Sequence, residues 1–174
     1  MKNAPCILGS LAVTLACLTA ACNPFAPELD TNLDAGASVL GDVRTVDGVF
    51  QNVKYAYAFR DTTIYGQLLS SDFTFIYRDY DRGVDVTWGR DDEMRVTYGL
   101  FRNVQRLDLV WNNIISLSTD STDTRSVVNR NFNLTVTFNP SDIIRVDGYV
   151  NLVLVRQKPE DDWEILRWRD ESNY

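Results

Sequence analysis

The chain has 174 residues, 45% of them hydrophobic and 24% charged, enough for one globular domain with a sizeable core. Seventeen basic against 24 acidic residues leave a formal charge of −7, and the arginines stand singly, as at Arg44, Arg60, Arg78, Arg82 and Arg90, which argues against nucleic-acid binding. Histidine is absent, so Ser-His-Asp and Cys-His centres, zinc sites and the two-His iron triad are excluded; acid–base chemistry must come from Asp, Glu, Tyr or Lys, and no metal or cofactor is expected.

The N-terminal "MKNAPCILGSLAVTLACLTAAC" has Lys2, an apolar stretch from Ile7 to Leu18, then small residues, the layout of a cleaved secretory signal. Its apolar run is shorter than the roughly 20 residues that span a bilayer. All three cysteines, Cys6, Cys17 and Cys22, fall in this stretch. Thr19-Ala20-Ala21 before Cys22 resembles the lipobox of bacterial lipoproteins, in which the cysteine sulfur is acylated and becomes the mature N-terminus. The usual leucine sits one place early, as Leu18, and Cys17 has bulky Leu15 where a small residue belongs. The resemblance implies a signal peptide over 1–21, lipidation at Cys22 and attachment to the bacterial cell envelope. Several acyl chains, at about 0.8 kcal/mol per buried CH₂, make that attachment stable. Asn23, in place of the aspartate that marks inner-membrane retention, favours the outer membrane.

Residues 22–44 read as a flexible tether: "NPFAPELDTNLDAGASVLGDVR" has two prolines, two glycines and no apolar periodicity. The domain then runs over 45–174. Thr45 caps a first helix with Val46, Val49, Phe50, Val53 and Tyr57 at helical spacing. Asp61 caps a second, with Ile64, Tyr65, Leu68 and Leu69 on one side. "DFTFIYR" reads as a strand and "DYDRGVD" as a solvated turn; its acids, Asp79, Asp81 and Asp85, lack the spacing of a calcium loop. "GRDDEMRVTYGLFRNV" predicts a third helix. Asp91, Asp92 and Glu93 there complement the helix dipole, and Met94, Tyr98 or Thr97, Phe101 and Val104 form the apolar line.

Everything afterwards reads as strand. In "VVNRNFNLTVTF" the residues Phe132, Leu134, Val136 and Phe138 point inward and Asn133, Thr135 and Thr137 outward. The run Val150, Leu152, Val153, Leu154, Val155 predicts a strand covered on both faces, and its second face is expected to suit a partner subunit. Helices first and strands after predict an α+β domain, three helices on one face of a curved, mostly antiparallel sheet.

This element order, with "YAFRDTTIYGQLLSSDFTF" at the start and "WEILRWRD" at the end, resembles the NTF2-like superfamily, the cone-shaped fold of SnoaL-type cyclases and ketosteroid isomerases. Asp61, Leu68, Leu69, Phe73, Trp163 and Trp168 carry the match, and all are scaffold residues. The resemblance puts Val53 at the isomerase branch's oxyanion-binding tyrosine and Tyr77 at its general-base carboxylate. Neither can serve, since valine donates no hydrogen bond and a phenol of pKa ~10 is a poor base at neutral pH. A shift of one or two residues offers Tyr55 and Asp79, and Asp170 is a third catalytic candidate. The superfamily's pocket implies a small-molecule site, for which Tyr57, Trp88, Tyr98 and Trp111 are the expected wall. The expected function is thus a lipid-anchored envelope protein that binds a small apolar or aromatic ligand, or a protein partner, without catalysis. The alternatives are an isomerase, cyclase or hydrolase using a pocket carboxylate, and a structural module forming a homodimer through its sheet.

Overall fold

The structure, a computed structural model, describes residues 40–173. The signal peptide, Cys22 and most of the tether lie outside the described residues. Thr45 accepts the Gly48 amide at 3.0 Å and opens α1 (Val46–Phe59). Arg60 takes the left-handed conformation that ends it, and Asp61 accepts the amides of Thr63 and Ile64 at 2.9 and 3.0 Å to start α2 (Thr62–Gln67). Then follow β1 (Leu69–Asp79), β2 (Val84–Gly89), α3 (Arg90–Asn103), β3 (Arg106–Thr119), β4 (Arg125–Asn139), β5 (Asp142–Val155) and β6 (Glu164–Asn173). The six strands form one sheet in the order β2-β1-β6-β5-β4-β3, antiparallel except where β1 runs parallel to β6.

Strand β2 corrects the reading of "DYDRGVD" as a turn between strand and helix. Only Tyr80–Gly83 turn, with Gly83 at φ 66° and the Asp79 carboxylate accepting the Arg82 amide at 2.9 Å. From Val84 the chain pairs back along β1, Trp88 opposite Phe75. Being an edge strand, β2 buries little, so its Val84, Val86, Trp88 alternation is a faint signal.

The core lies between the helices and one face of the sheet. Val150, Leu152 and Leu154 on that face are fully buried. Val153, on the other face between Val127 and Arg167, is buried as well. Each such side chain contributes about 1.5–3 kcal/mol. The inward residues of β4 fall as the alternation requires: Phe132 and Val136 are buried, Leu134 and Phe138 packed against the core.

Residues 40–44, read as the end of the tether, pack onto the domain. Asn52, buried on α1, accepts the Gly41 amide at 2.7 Å and donates to the Gly41 carbonyl at 3.0 Å. The Val43 carbonyl accepts from Trp163. Close approach requires Gly48, where a Cβ would lie 1.9 Å from the Asp42 carbonyl oxygen. At the far end of β3, Asp120 closes the hairpin to β4. Hydrogen bonds from the Thr122 hydroxyl, then from the Thr124 and Arg125 amides, hold its carboxyl down to about 2.

Candidate ligand site

Alternate residues on five strands project onto the face of the sheet that the helices cover. Phe75 comes from β1, Trp168 and Asp170 from β6, Val146 from β5, Phe132 and Leu134 from β4, Leu109 and Trp111 from β3. With Tyr57 of α1 they line a cavity of about 150 Å³. A wider recess of about 510 Å³ shares Tyr57, Phe75 and Asp170 with it. That recess lies between β1–β2 and α3, where Tyr77, Trp88, Glu93, Val96, Thr97 and Leu100 complete it.

The inner wall is a row of rings. Phe75 and Trp168 are 6.4 Å apart between centroids, Trp168 and Trp111 6.3 Å, Trp111 and Phe132 6.1 Å. Trp111 is fixed from outside the cavity: its indole N–H donates to the Phe50 carbonyl at 2.8 Å, and Phe50 meets its ring edge-on at 4.8 Å. Phe75 stacks flat on Trp88 at 4.6 Å.

Asp170 brings charge to this apolar surface. One carboxylate oxygen accepts the Ser172 amide at 2.9 Å, and burial pushes its carboxyl above the usual range despite that bond. Gly148, the partner of Ser172 across β5 and β6, lets the strands close here, since a Cβ on it would lie 2.5 Å from the Ser172 Cα. Burial, then the negative charges of Glu93 and Asp170, push the Tyr57 phenol well up. Tyr57 therefore stays a neutral hydroxyl at any physiological pH.

Glu93 is the residue that sequence reasoning missed. Assigned to the helix dipole, it is only 4% exposed. Its Oε1 accepts from the Tyr65 hydroxyl at 2.8 Å and the Thr97 hydroxyl at 2.9 Å, and its Oε2 accepts from the Trp88 indole at 2.7 Å. One carboxylate thus joins α2, α3 and β2 and sets the Trp88 ring against Phe75. The buried line of α3 is Glu93, Thr97 and Phe101, with Met94 packed beside it against the core and Val104 buried at the helix end; of the alternatives Tyr98 and Thr97, it is Thr97 that faces inward. A turn-by-turn spacing of four from Phe101 back through Thr97 was the available signal.

The expected wall residues divide. Tyr57 and Trp111 line the inner cavity, and Tyr57 and Trp88 line the recess. Tyr98 does not belong to either: it is 51% exposed, with the Arg102 guanidinium 5.5 Å above its ring. Of the catalytic candidates, Asp170 lines both cavities. Tyr55 packs on Phe59 at 4.5 Å away from them, and Asp79 is engaged in its turn. Val53 is core, and Tyr77 lines the recess. Phe75, Phe132 and Trp168, which the sequence marks only as strand or packing residues, join the site. Among the described residues no three Asp, Glu, Cys or His side chains converge as metal ligands.

Neither a protein-family model nor a curated protein sequence matches the chain. Solved structures do. A conserved protein from Planctomyces limnophilus superposes with a TM-score of 0.64, over 74% of this chain and 93% of its own, at 11% identity. A provisionally named dehydratase of the NTF2-like family from Streptomyces avermitilis gives 0.58, over 74% of this chain and 94% of its own, at 13% identity. The fold is NTF2-like. A provisionally named scytalone dehydratase from Novosphingobium aromaticivorans gives 0.60, over 75% of this chain and 83% of its own, at 14% identity. At such identities the NTF2-like scaffold is shared, and chemistry must be argued from the residues of the cone.

Proposed function

We propose that this NTF2-like domain is a lipid-anchored binding protein of the bacterial envelope, holding a small apolar or aromatic ligand in its cone without turning it over. The observation that carries the reading is the aromatic-walled cavity whose two polar groups, Asp170 and Tyr57, also face the wider recess. An apolar cavity of about 150 Å³ accepts a guest of benzene size. Asp170 would accept from the ligand and Tyr57, as a neutral phenol, would donate to it.

Calorimetric titration with phenol and 2-naphthol tests this. Both are expected to bind the wild-type protein, and Leu109→Trp, which fills the inner cavity, is expected to weaken them at least tenfold. Equal affinity in that variant would move the ligand elsewhere. A second reading, an enzyme using Asp170 as a base, is supported by the raised carboxyl of Asp170 in apolar surroundings.

The anchor is proposed from the lipobox-like stretch alone. Among the described residues no helix is long and apolar enough to cross a membrane. Cys22→Ser is expected to shift the protein from the membrane to the soluble fraction; retention on the membrane would show a different attachment.

A further inference from the structure

We infer that the ligand is a small alkylated ammonium cation, held in an aromatic cage that Asp170 closes. The inference rests on the reading that the cone binds a small molecule, and it names the class of that molecule. Its first support is the arrangement of rings. Phe75, Trp168 and Trp111 stand side by side at centroid spacings of 6.3–6.4 Å, and Tyr57 of α1 lines the same cavity. A cation within about 6 Å of such ring faces is attracted by their quadrupoles, most strongly where water is excluded.

The second support is charge. Asp170 and Glu93 are the charged side chains that line the two cavities, and no Lys or Arg lines either one. Glu93 is already satisfied by three donors. Asp170 is different: its carboxylate is held by the neighbouring Ser172, whose amide lies at 2.9 Å, and it pairs with no Lys or Arg among the described residues. A carboxylate held in apolar surroundings is costly unless an opposite charge or further donors meet it. An anionic ligand would meet two acids and no base. A neutral aromatic without a donor would leave the charge of Asp170 uncompensated, and one with a hydroxyl would supply a hydrogen bond but no opposite charge.

The third support separates an alkylated ammonium from a primary one. A primary ammonium carries three N–H donors and strong hydration. In a cavity lined by rings and aliphatic side chains, with Asp170 the one charged group, most of those donors would be buried unpaired. A trimethylammonium group has none to leave unpaired, and its size suits a cavity that admits a benzene-sized guest.

The test compares choline with its uncharged carbon isostere, 3,3-dimethylbutan-1-ol, by calorimetry on the whole protein. Choline is expected to bind at least tenfold tighter. Asp170→Asn and Phe75→Leu are each expected to weaken choline about tenfold, and Asp170→Asn to leave the isostere within twofold. If the isostere binds wild-type protein as well as choline does, the cation inference is overturned and the binding cone stands. The cation inference is likewise overturned if neither binds while phenol and 2-naphthol do. If all four fail to bind, both readings fall.

Discussion

Replacing Arg156 with alanine is expected to lower folding stability by about 3 kcal/mol, although no part of Arg156 lies near the ligand cavity. Its side chain is 5% exposed. The guanidinium donates to the Asp123 carbonyl at 2.8 Å and carboxylate at 2.5 Å, and to the carbonyls of Arg44 and Asp161 at 3.3 and 3.4 Å. It also lies 4.0 Å from the centre of the Trp163 ring. One fork thereby joins the segment before α1, the β3–β4 hairpin and the loop between β5 and β6. The Asp123 carboxylate is itself half-exposed, so little of the effect comes from the ion pair. Most comes from the lost stacking on Trp163 and the lost packing of a side chain that is itself buried, with smaller parts from the carbonyls of Asp123, Arg44 and Asp161. Arg156→Lys keeps the charge without the planar fork and is expected to recover less than half. Urea denaturation reads both, as a lower midpoint at unchanged slope. A loss below ~0.5 kcal/mol in the alanine variant would show that the three segments hold together without it.

Glu93→Ala is expected to cost a similar amount, about 3 kcal/mol, because it strands two buried donors and one half-buried one at once. Tyr65, Thr97 and Trp88 all lose their acceptor. Glu93→Gln keeps one acceptor oxygen but sets an NH₂ against a donor, for a cost of about 1–2 kcal/mol. A purely structural carboxylate would affect stability alone. Here the freed Trp88 also loosens the wall that it forms with Phe75, so ligand affinity should fall several-fold in Glu93→Gln under conditions where the variant is fully folded. Thermal unfolding, near-ultraviolet circular dichroism and the 2-naphthol titration together separate the two effects. Unchanged affinity with lowered stability would confine Glu93 to holding the fold.

Much of the architecture is legible in the sequence. Thr45 and Asp61 announce helix starts because their side chains can accept the orphan amides of a first turn, a local matter of two or three residues. The inward set of β4 follows from strict alternation, and the burial of Val153 on the second face of β5 from the apolar run Leu152–Val155. What escapes is set by partners distant in sequence. Strand β2 buries too little to betray itself, and it exists because β1 folds back to pair with it. Glu93 looks like an ordinary first-turn acid. It is buried because Trp88 and Tyr65, five and 28 positions away, supply its donors. The apolar line of α3 leaves Thr97 and Tyr98 as alternatives, and the packing of the helix turns Thr97 inward and Tyr98 out.

The sequence by itself determined the absence of imidazole, the α+β order of elements, the caps and the alternating core, since these depend on composition and on neighbours along the chain. Only the tertiary structure decided the site. Phe75, Trp111 and Trp168 come from three strands, and their convergence depends on sheet order and curvature, which no local pattern encodes. The same holds for Asp170: an acid near the end of the chain is ordinary until the sheet brings it beside those rings, where burial raises its carboxyl.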